Sequence, residues 1–443
     1  MEPLIHLPEI GAPDSAPGSC GTADHLSRRT LLKAAGLAGL AWMTPLAELL
    51  ALETEKAPKG KPPRSVILLW LAGGPSQLET FDPHPGSKIS YGTQSIHSAV
   101  KGLDLAQGLE QTAALMGDVT LVRSMVSKEG DHERAVYNIK TGYRPNPAVV
   151  HPSIGAVICH ELPNPKAEIP NHISIVPNQW PARGGYLGAT LDAFQMGDPN
   201  QPIPDVATKI PEPRQQERLA GLSAVEKAFA QGRLANLEQS KTLHAATMAS
   251  ARRMMTSDQL KAFDVSQAGA SERAAYGDSP FGRACLAAVR LIEAGVRCVE
   301  VTLDGWDSHV NNHETQAKRV ATLDPAFAAL IIDLKKRGLF EHTVVMCGGE
   351  FGRTPKLNGL DGRDHWPTGF SMVLAGGGFR QGYVHGATDP EGAKEEPTKP
   401  VRVEDIHATV QHMLGIDYEK EIMTPVGRPI ALSDGKVIKE LIA

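Results

Sequence analysis

Thr343-Val344-Val345-Met346-Cys347-Gly348-Gly349-Glu350-Phe351-Gly352-Arg353-Thr354-Pro355, continued after a short gap by Asp361-Gly362-Arg363-Asp364-His365-Trp366-Pro367, is the stretch that decides the fold. A short β-branched apolar run cut off by glycines has the pattern of a strand buried on both faces and ending in a tight turn. In open α/β sheets the carboxyl ends of such strands border the ligand crevice, which places Glu350 at a site. Asp364 and His365 follow on a loop bracketed by Gly362 and Pro367, where core packing demands neither side chain. A carboxylate, an imidazole and a guanidinium together suit a metal ion holding an oxyanion, with Arg353 as a bidentate clamp. The same residues also read as a solvated Glu350–Arg353 salt bridge with His365 capping a turn.

Moving toward the N-terminus, a helix is expected over about Ala317 to Gly338, and an amphipathic helix over Phe281 to Ala294, stopped by Gly295, leads into a strand from Val296 to Leu303. At that strand's end stands Asp304-Gly305-Trp306-Asp307-Ser308-His309, followed by His313. Two carboxylates and two imidazoles in ten residues at a strand terminus are the ligand types of zinc, manganese or calcium-like centres. The alternative is an acidic loop over a packed Trp306. Residues 215 to about 262 are continuously helix-compatible, and with the Pro-rich run from Asp198 they form a helical excursion, about 198–280, placed to cover the site. Met248, Met254 and Met255 in it read as core filling.

Val66 to Leu71 is a first strand closed by Gly73-Gly74-Pro75, and its loop carries Glu79, Asp82 and His84. No Gly-Lys-Ser/Thr follows those glycines, which excludes a phosphate loop. Asp118 to Arg123 is a second strand, and it leads to Glu129-Gly130-Asp131-His132-Glu133-Arg134 before a helix-like Ala135 to Lys140. An imidazole at a strand-to-helix junction can point into the crevice; it can equally neighbour a cap on the surface. Residues 151–161 read as helix, Ile173 to Val176 and Phe370 to Ala375 as strands, Gly376-Gly377-Gly378 as a turn, and Val403 to Ile416 as a capped helix in which His407 and His412 are structural.

The chain has 443 residues, a formal net charge of −5 and a pI near 6.4, which suits one large α/β domain and gives no electrostatic case for nucleic acid or an anionic membrane. Five cysteines without a C-x-x-C spacing exclude a zinc knuckle, and Cys298 and Cys347 lie in apolar runs as core residues. Ser27-Arg28-Arg29-Thr30-Leu31-Leu32-Lys33 before an Ala/Gly/Leu-rich segment fits a twin-arginine export signal, residues 1–52, with an amphipathic N-terminal helix as the alternative. Pro45 and Glu48 make that segment a poor membrane span, and a Lys/Pro-rich linker over 53–64 leads into a domain from 65 to 443.

Together the leader, Gly73-Gly74-Pro75-Ser76 with Thr80-Phe81-Asp82-Pro83, Gly305-Trp306-Asp307-Ser308-His309, Gly349 to Pro355, Asp364-His365-Trp366-Pro367 and Gly427-Arg428-Pro429 resemble a twin-arginine-exported, sulfatase-like family of unassigned activity in the alkaline phosphatase superfamily. The resemblance implies a doubly wound, mostly parallel sheet with helices on both faces and metal ligands at strand ends. It implies an Asp307, His309 and His365 metal position, with Glu350 surviving from a second one and Asp82 replacing an aspartate that the family pattern puts near Gly73. Lys140-Thr141-Gly142-Tyr143-Arg144-Pro145 looks like the ending of the sulfatase nucleophile segment, and the nucleophile's position falls on His132. The implied activity is a periplasmic or extracellular hydrolase of sulfate or phosphate esters, small-molecule or glycan. A divalent ion on Asp307, His309 and His365, with Glu350 and Asp364 as further candidate ligands, would activate water. His132 would be general base or acid, Arg353 the oxyanion partner. The rival is a non-catalytic binding or envelope-structural protein that keeps the fold.

Overall fold

β-Branched and leucine-rich segments in this chain bury both of their faces, as strands interior to a parallel sheet must. Nine strands form one sheet: Ser65–Leu71 (β1), Val119–Val126 (β2), His172–Ile175 (β3), Phe194–Met196 (β4), Cys298–Leu303 (β5), Thr343–Gly348 (β6), Phe370–Gly376 (β7), Tyr383–His385 (β8) and Val401–Arg402 (β9). Their order is β8-β2-β7-β6-β1-β5-β3-β4, with β9 also on β2. Every pairing is parallel except at β7, which runs antiparallel to both β6 and β2. The computed structural model describes residues 64–206, 210–230, 244–394 and 396–443. The leader expected over 1–52 and the linker up to residue 63 lie outside the described residues.

Alternation along β1 sorts the core into two layers. Ile67, Leu69 and Leu71 pack with Pro280–Glu293 (α3) and Asn312–Lys336 (α4), through residues such as Phe281, Leu286, Phe327 and Leu330. Val66, Leu68 and Trp70 pack on the other face with His132–Thr141 (α1), Ile154–Glu161 (α2) and Val403–Met413 (α5), through Val136, Ile158 and Ile406. The doubly wound arrangement expected from the sequence is therefore present. Truncating a fully buried residue such as Leu69 to Ala would cost about 2–5 kcal/mol.

Local chemistry sets the helix ends near the crevice. The Asp131 side chain accepts from the Arg134 backbone N–H, so that His132 becomes the first helical residue, and Gly142 ends α1 at φ 77°. The helix expected from Ala317 begins at Asn312, and the difference is chemical. Asn312 and Gln316 are fully buried but polar, so hydrophobic periodicity does not mark this turn. They instead hold loops: Gln316 accepts from the Ser76 N–H (3.0 Å) and donates to the Trp306 carbonyl (3.0 Å) and Ser308 hydroxyl (2.9 Å), while Ser308 donates to Asn312 (2.6 Å).

The described parts of the excursion are helices at Glu212–Ala230 and His244–Thr256, with a break at Ser257 and a 3-10 turn at Asp258–Ala262, residues 231–243 lying outside the described ones. Met254, Phe263, Val265 and Tyr276 join the layer on the α3 and α4 face, and Ser257 donates to Glu168 (2.6 Å). These contacts anchor residues 254–276 of the excursion. No helix among the described residues is long and apolar enough to cross a membrane.

Candidate functional site

The ends of β1, β5 and β6 are adjacent in the sheet, so the loops after them, 72–82, 304–311 and 349–355, meet. Two glycines make the meeting close. A Cβ on Gly73, whose φ is +110°, would lie 2.5 Å from the Asp307 backbone nitrogen, and one on Gly362 would lie 1.9 Å from the His309 carbonyl oxygen. The first contact leaves no room for a side chain at the β1 end and presses the backbone against Asp307. The second brings the 361–365 segment onto His309. His365 is then fixed in register opposite Arg353 by the short antiparallel pair Gly352–Arg353 and His365–Trp366.

Three imidazoles converge on Asp307. His132 Nε2 lies 3.3 Å from Oδ2, while His309 Nε2 and His365 Nε2 lie 3.2 and 3.5 Å from Oδ1. Each ring is held by its other nitrogen. His132 Nδ1 donates to Glu350 Oε1 (2.7 Å), His309 Nδ1 to Asp364 Oδ1 (2.8 Å) and His365 Nδ1 to the Gly130 carbonyl (2.7 Å). Since a carboxylate or a carbonyl can only accept, these contacts place the proton on Nδ1 and leave Nε2 with its lone pair in each neutral ring. His309 Nε2 and His365 Nε2 stand 3.0 Å apart. Two lone pairs at that distance repel unless a proton or a cation lies between them.

Electrostatics support the same conclusion. Burial opposes ionisation of Asp307, but the close contacts with His132 and His365, the hydrogen bond from Arg353 and the guanidinium charge outweigh it, holding the carboxyl far below its usual range. The Asp307 carboxylate first and that of Glu350 second push the His132 imidazolium up to about 9. The His132–Asp307 contact is not aligned as a hydrogen bond, so its attraction is that of an ion pair, and His132 Nε2 and Glu350 Oε2 are buried atoms without a hydrogen-bond partner. Glu350 is fully buried, with Oε1 also accepting from the Gly73 N–H (2.9 Å). Facing lone pairs on His309 and His365 beside an anionic carboxylate are what a divalent ion would satisfy, and the ligand atoms of His132, Asp307 and His365 lie within 4.8 Å of one another.

The other sequence candidates have different surroundings. Arg353 is fully buried, and its guanidinium donates to the carbonyls of Gly73, Gly74 (2.9 Å) and Arg363 (3.0 Å) and to Asp307 Oδ1 (2.5 Å). It binds the loops together around Asp307. Asp82 pairs instead with Arg123 (3.2 Å), His84 (3.3 Å) and Thr388, none of them a member of the cluster. Asp364 sits behind His309 and also accepts from Asn358 (3.2 Å). His313 faces Glu79 (3.4 Å), and Asp304 accepts from the Gly305 N–H. His407 is a buried structural histidine, donating to the Ile139 carbonyl (2.7 Å), with desolvation pushing its pKa down to about 4. Sequence reasoning missed the Gly130 carbonyl and Gln316, because a main-chain acceptor and a buried amide leave no mark on residue patterns.

Residues 63–442 match the family described as "Protein of unknown function (DUF1501)". The chain belongs to the DUF1501 family. No curated protein matches this DUF1501 chain. Among solved structures, Ps i-CgsB in complex with k-i-k-neocarrahexaose is similar at 10% identity and TM-score 0.40, over 81% of this chain and 73% of that one. The PsFucS1 sulfatase from Pseudoalteromonas sp. is similar at 12% identity and TM-score 0.39, over 85% and 71%. The alkaline phosphatase from the Antarctic bacterium TAB5 is similar at 12% identity and TM-score 0.35, over 80% and 99%. Scores this low carry no argument, and the fold of this DUF1501 member stands on its own sheet.

Proposed function

We propose that this DUF1501 protein is an exported, metal-dependent hydrolase of sulfate or phosphate esters, small-molecule or glycan. One observation carries the reading: the lone pairs of His309 and His365, 3.0 Å apart, face the Asp307 carboxylate while their Nδ1 protons are held from behind. Asp307, His309 and His365 hold the ion, whose identity among zinc, calcium and manganese stays open. When bound, a divalent ion supplies charge that polarises an ester oxygen and lowers the pKa of water at the site.

The protein's own residues do the rest. Glu350, buried and anionic, holds the His132 ring through Nδ1, and its unpartnered Oε2 is placed to accept a proton from water. His132 keeps a proton on Nε2 at neutral pH and delivers it to the departing oxygen, and a cation nearby lowers its pKa from about 9 toward the working range. Arg353 contributes through position, fixing Asp307 and the β1 loop while its charge adds to the field over the ester. Export rests on the Arg28-Arg29 leader.

The test is turnover of a panel of sulfate and phosphate esters by metal-loaded protein, with chelation abolishing it. In His132→Asn, aryl esters with good leaving groups retain more rate than alkyl esters, and bound metal is unchanged. Metal-loaded protein inert to the whole panel, or protein without metal from its own compartment, would establish the non-catalytic binding reading instead.

A further inference from the structure

A cavity of about 580 Å³ opens beside the first turn of α1, next to the metal cluster, and the mechanism leaves it unused. Asp131 and Glu133, the two chain neighbours of His132, line one side, and Gln179, Trp180 and Arg183 line the other. Trp180 joins cavity and cluster, since its ring lies nearly parallel to that of His132, at 17° with centroids 6.3 Å apart. Trp180 thus lines the cavity with one part of its surface while its ring faces the imidazole beside Asp307.

The loop that carries Trp180 is held rigidly. Lys140 Nζ donates to the Trp180 carbonyl (2.7 Å) and to the Glu300 carboxylate of β5 (2.9 Å), and both charged side chains are almost fully buried. The Trp180 N–H donates to Asn178 Oδ1 (3.0 Å). A buried ion pair that anchors this main-chain carbonyl fixes the backbone from which the indole projects, and a platform on a fixed backbone loses less entropy on binding.

The lining decides the ligand's chemistry. Arg134 is committed to Glu129 and Lys140 to Glu300, so neither offers an unpaired cation. What remains is one guanidinium, two carboxylates and one amide, on Arg183, Asp131, Glu133 and Gln179. Mixed donors and acceptors of opposing charge do not select a polyanion. They match hydroxyl groups, which both give and take hydrogen bonds, and Trp180 supplies the flat apolar face that the C–H side of a pyranose covers.

We infer that this cavity is a sugar subsite, so that the ester's leaving group is a carbohydrate stacked on Trp180 and the substrate class is a sulfated or phosphorylated glycan. The inference rests on the hydrolase reading for the placement of the ester alone. Glycan binding is therefore read without turnover, on the full chain with and without chelator, against an array of neutral and sulfated oligosaccharides. Wild type should retain a subset of oligosaccharides, neutral members included, in both states. Trp180→Ala should lose at least tenfold in apparent affinity, Trp180→Phe should stay within about threefold, and Gln179→Ala, on the exposed rim, should weaken binding if Trp180→Ala fails to fold. Retention of no oligosaccharide, or equal retention by Trp180→Ala, overturns the subsite whatever the esterase assays show. Retention without any turnover keeps the subsite and overturns the hydrolase.

Discussion

Two histidine–carboxylate clusters in this protein share residue types and differ in what their lone pairs do. At Asp82 every partner is spent: Arg123 takes one oxygen, and Thr388 and His84 take the other, with the carboxylate almost fully buried. Burial alone would raise the Asp82 pKa, but the His84 hydrogen bond and the Arg123 charge turn the shift downward. That is a closed knot tying the β1 loop to β2. At Asp307 two imidazoles present acceptor nitrogens and a third presents a proton to one half-exposed carboxylate, with the two acceptor nitrogens 3.0 Å apart and a buried glutamate behind the third ring. Residue types alone do not separate a structural knot from a site; the number of uncommitted acceptors does.

Substitutions that break this contrast should differ in kind. Asp307→Asn should have the largest effect, lowering divalent-metal affinity by more than about a thousandfold if it removes the central anionic ligand, as read by metal analysis after dialysis. Wild-type metal content in that variant would merge the two clusters into one class. Asp82→Asn should do the opposite, leaving metal stoichiometry intact while costing about 3–5 kcal/mol in urea denaturation, because the Arg123 guanidinium loses its charge partner inside the fold.

The pH dependence of metal-free protein sharpens the comparison. His132 has its pKa raised from 6.5 to about 9 by Asp307 and Glu350, so its stabilisation is fully present below about pH 6.5 and is lost as pH rises through 9. At full strength it amounts to about 3 kcal/mol, and the stability gap between wild type and His132→Asn should close between pH 6.5 and 9.5. Bound metal should narrow that gap, since a nearby cation lowers the His132 pKa.

Smaller effects belong to the residues behind the imidazoles. Glu350→Gln should lower activity by about 10–100-fold with bound metal unchanged, because the ring of His132 loses its anionic anchor. Asp364→Asn, more exposed and supported by Asn358, should cost about tenfold, read as a right-shifted metal titration with an unchanged urea midpoint.

Much of the frame was legible from the residues. β1, β5 and β6 announced themselves as short apolar runs ended by Gly or Asp, and α3 by its periodicity, because burial on both faces or on one stripe constrains residue type directly. The polar first turn of α4 and the breaks in the excursion were not legible, since neither is written in hydrophobicity. At the site, the strand-end location made Asp307, His309, Glu350 and His365 visible. Whether they faced one another was not.

The amino-acid sequence by itself determined which segments are buried strands and helices, and which ligand-type side chains sit at strand ends, because these follow from local composition and period. Only the tertiary structure decided that Asp82 closes on Arg123 while Asp307 gathers His132, His309 and His365. That choice depends on the order of β1, β5 and β6 in the sheet and on two glycines that let backbones touch, and a contact such as that of His132 with Asp307, 175 positions along the chain, has no local signature.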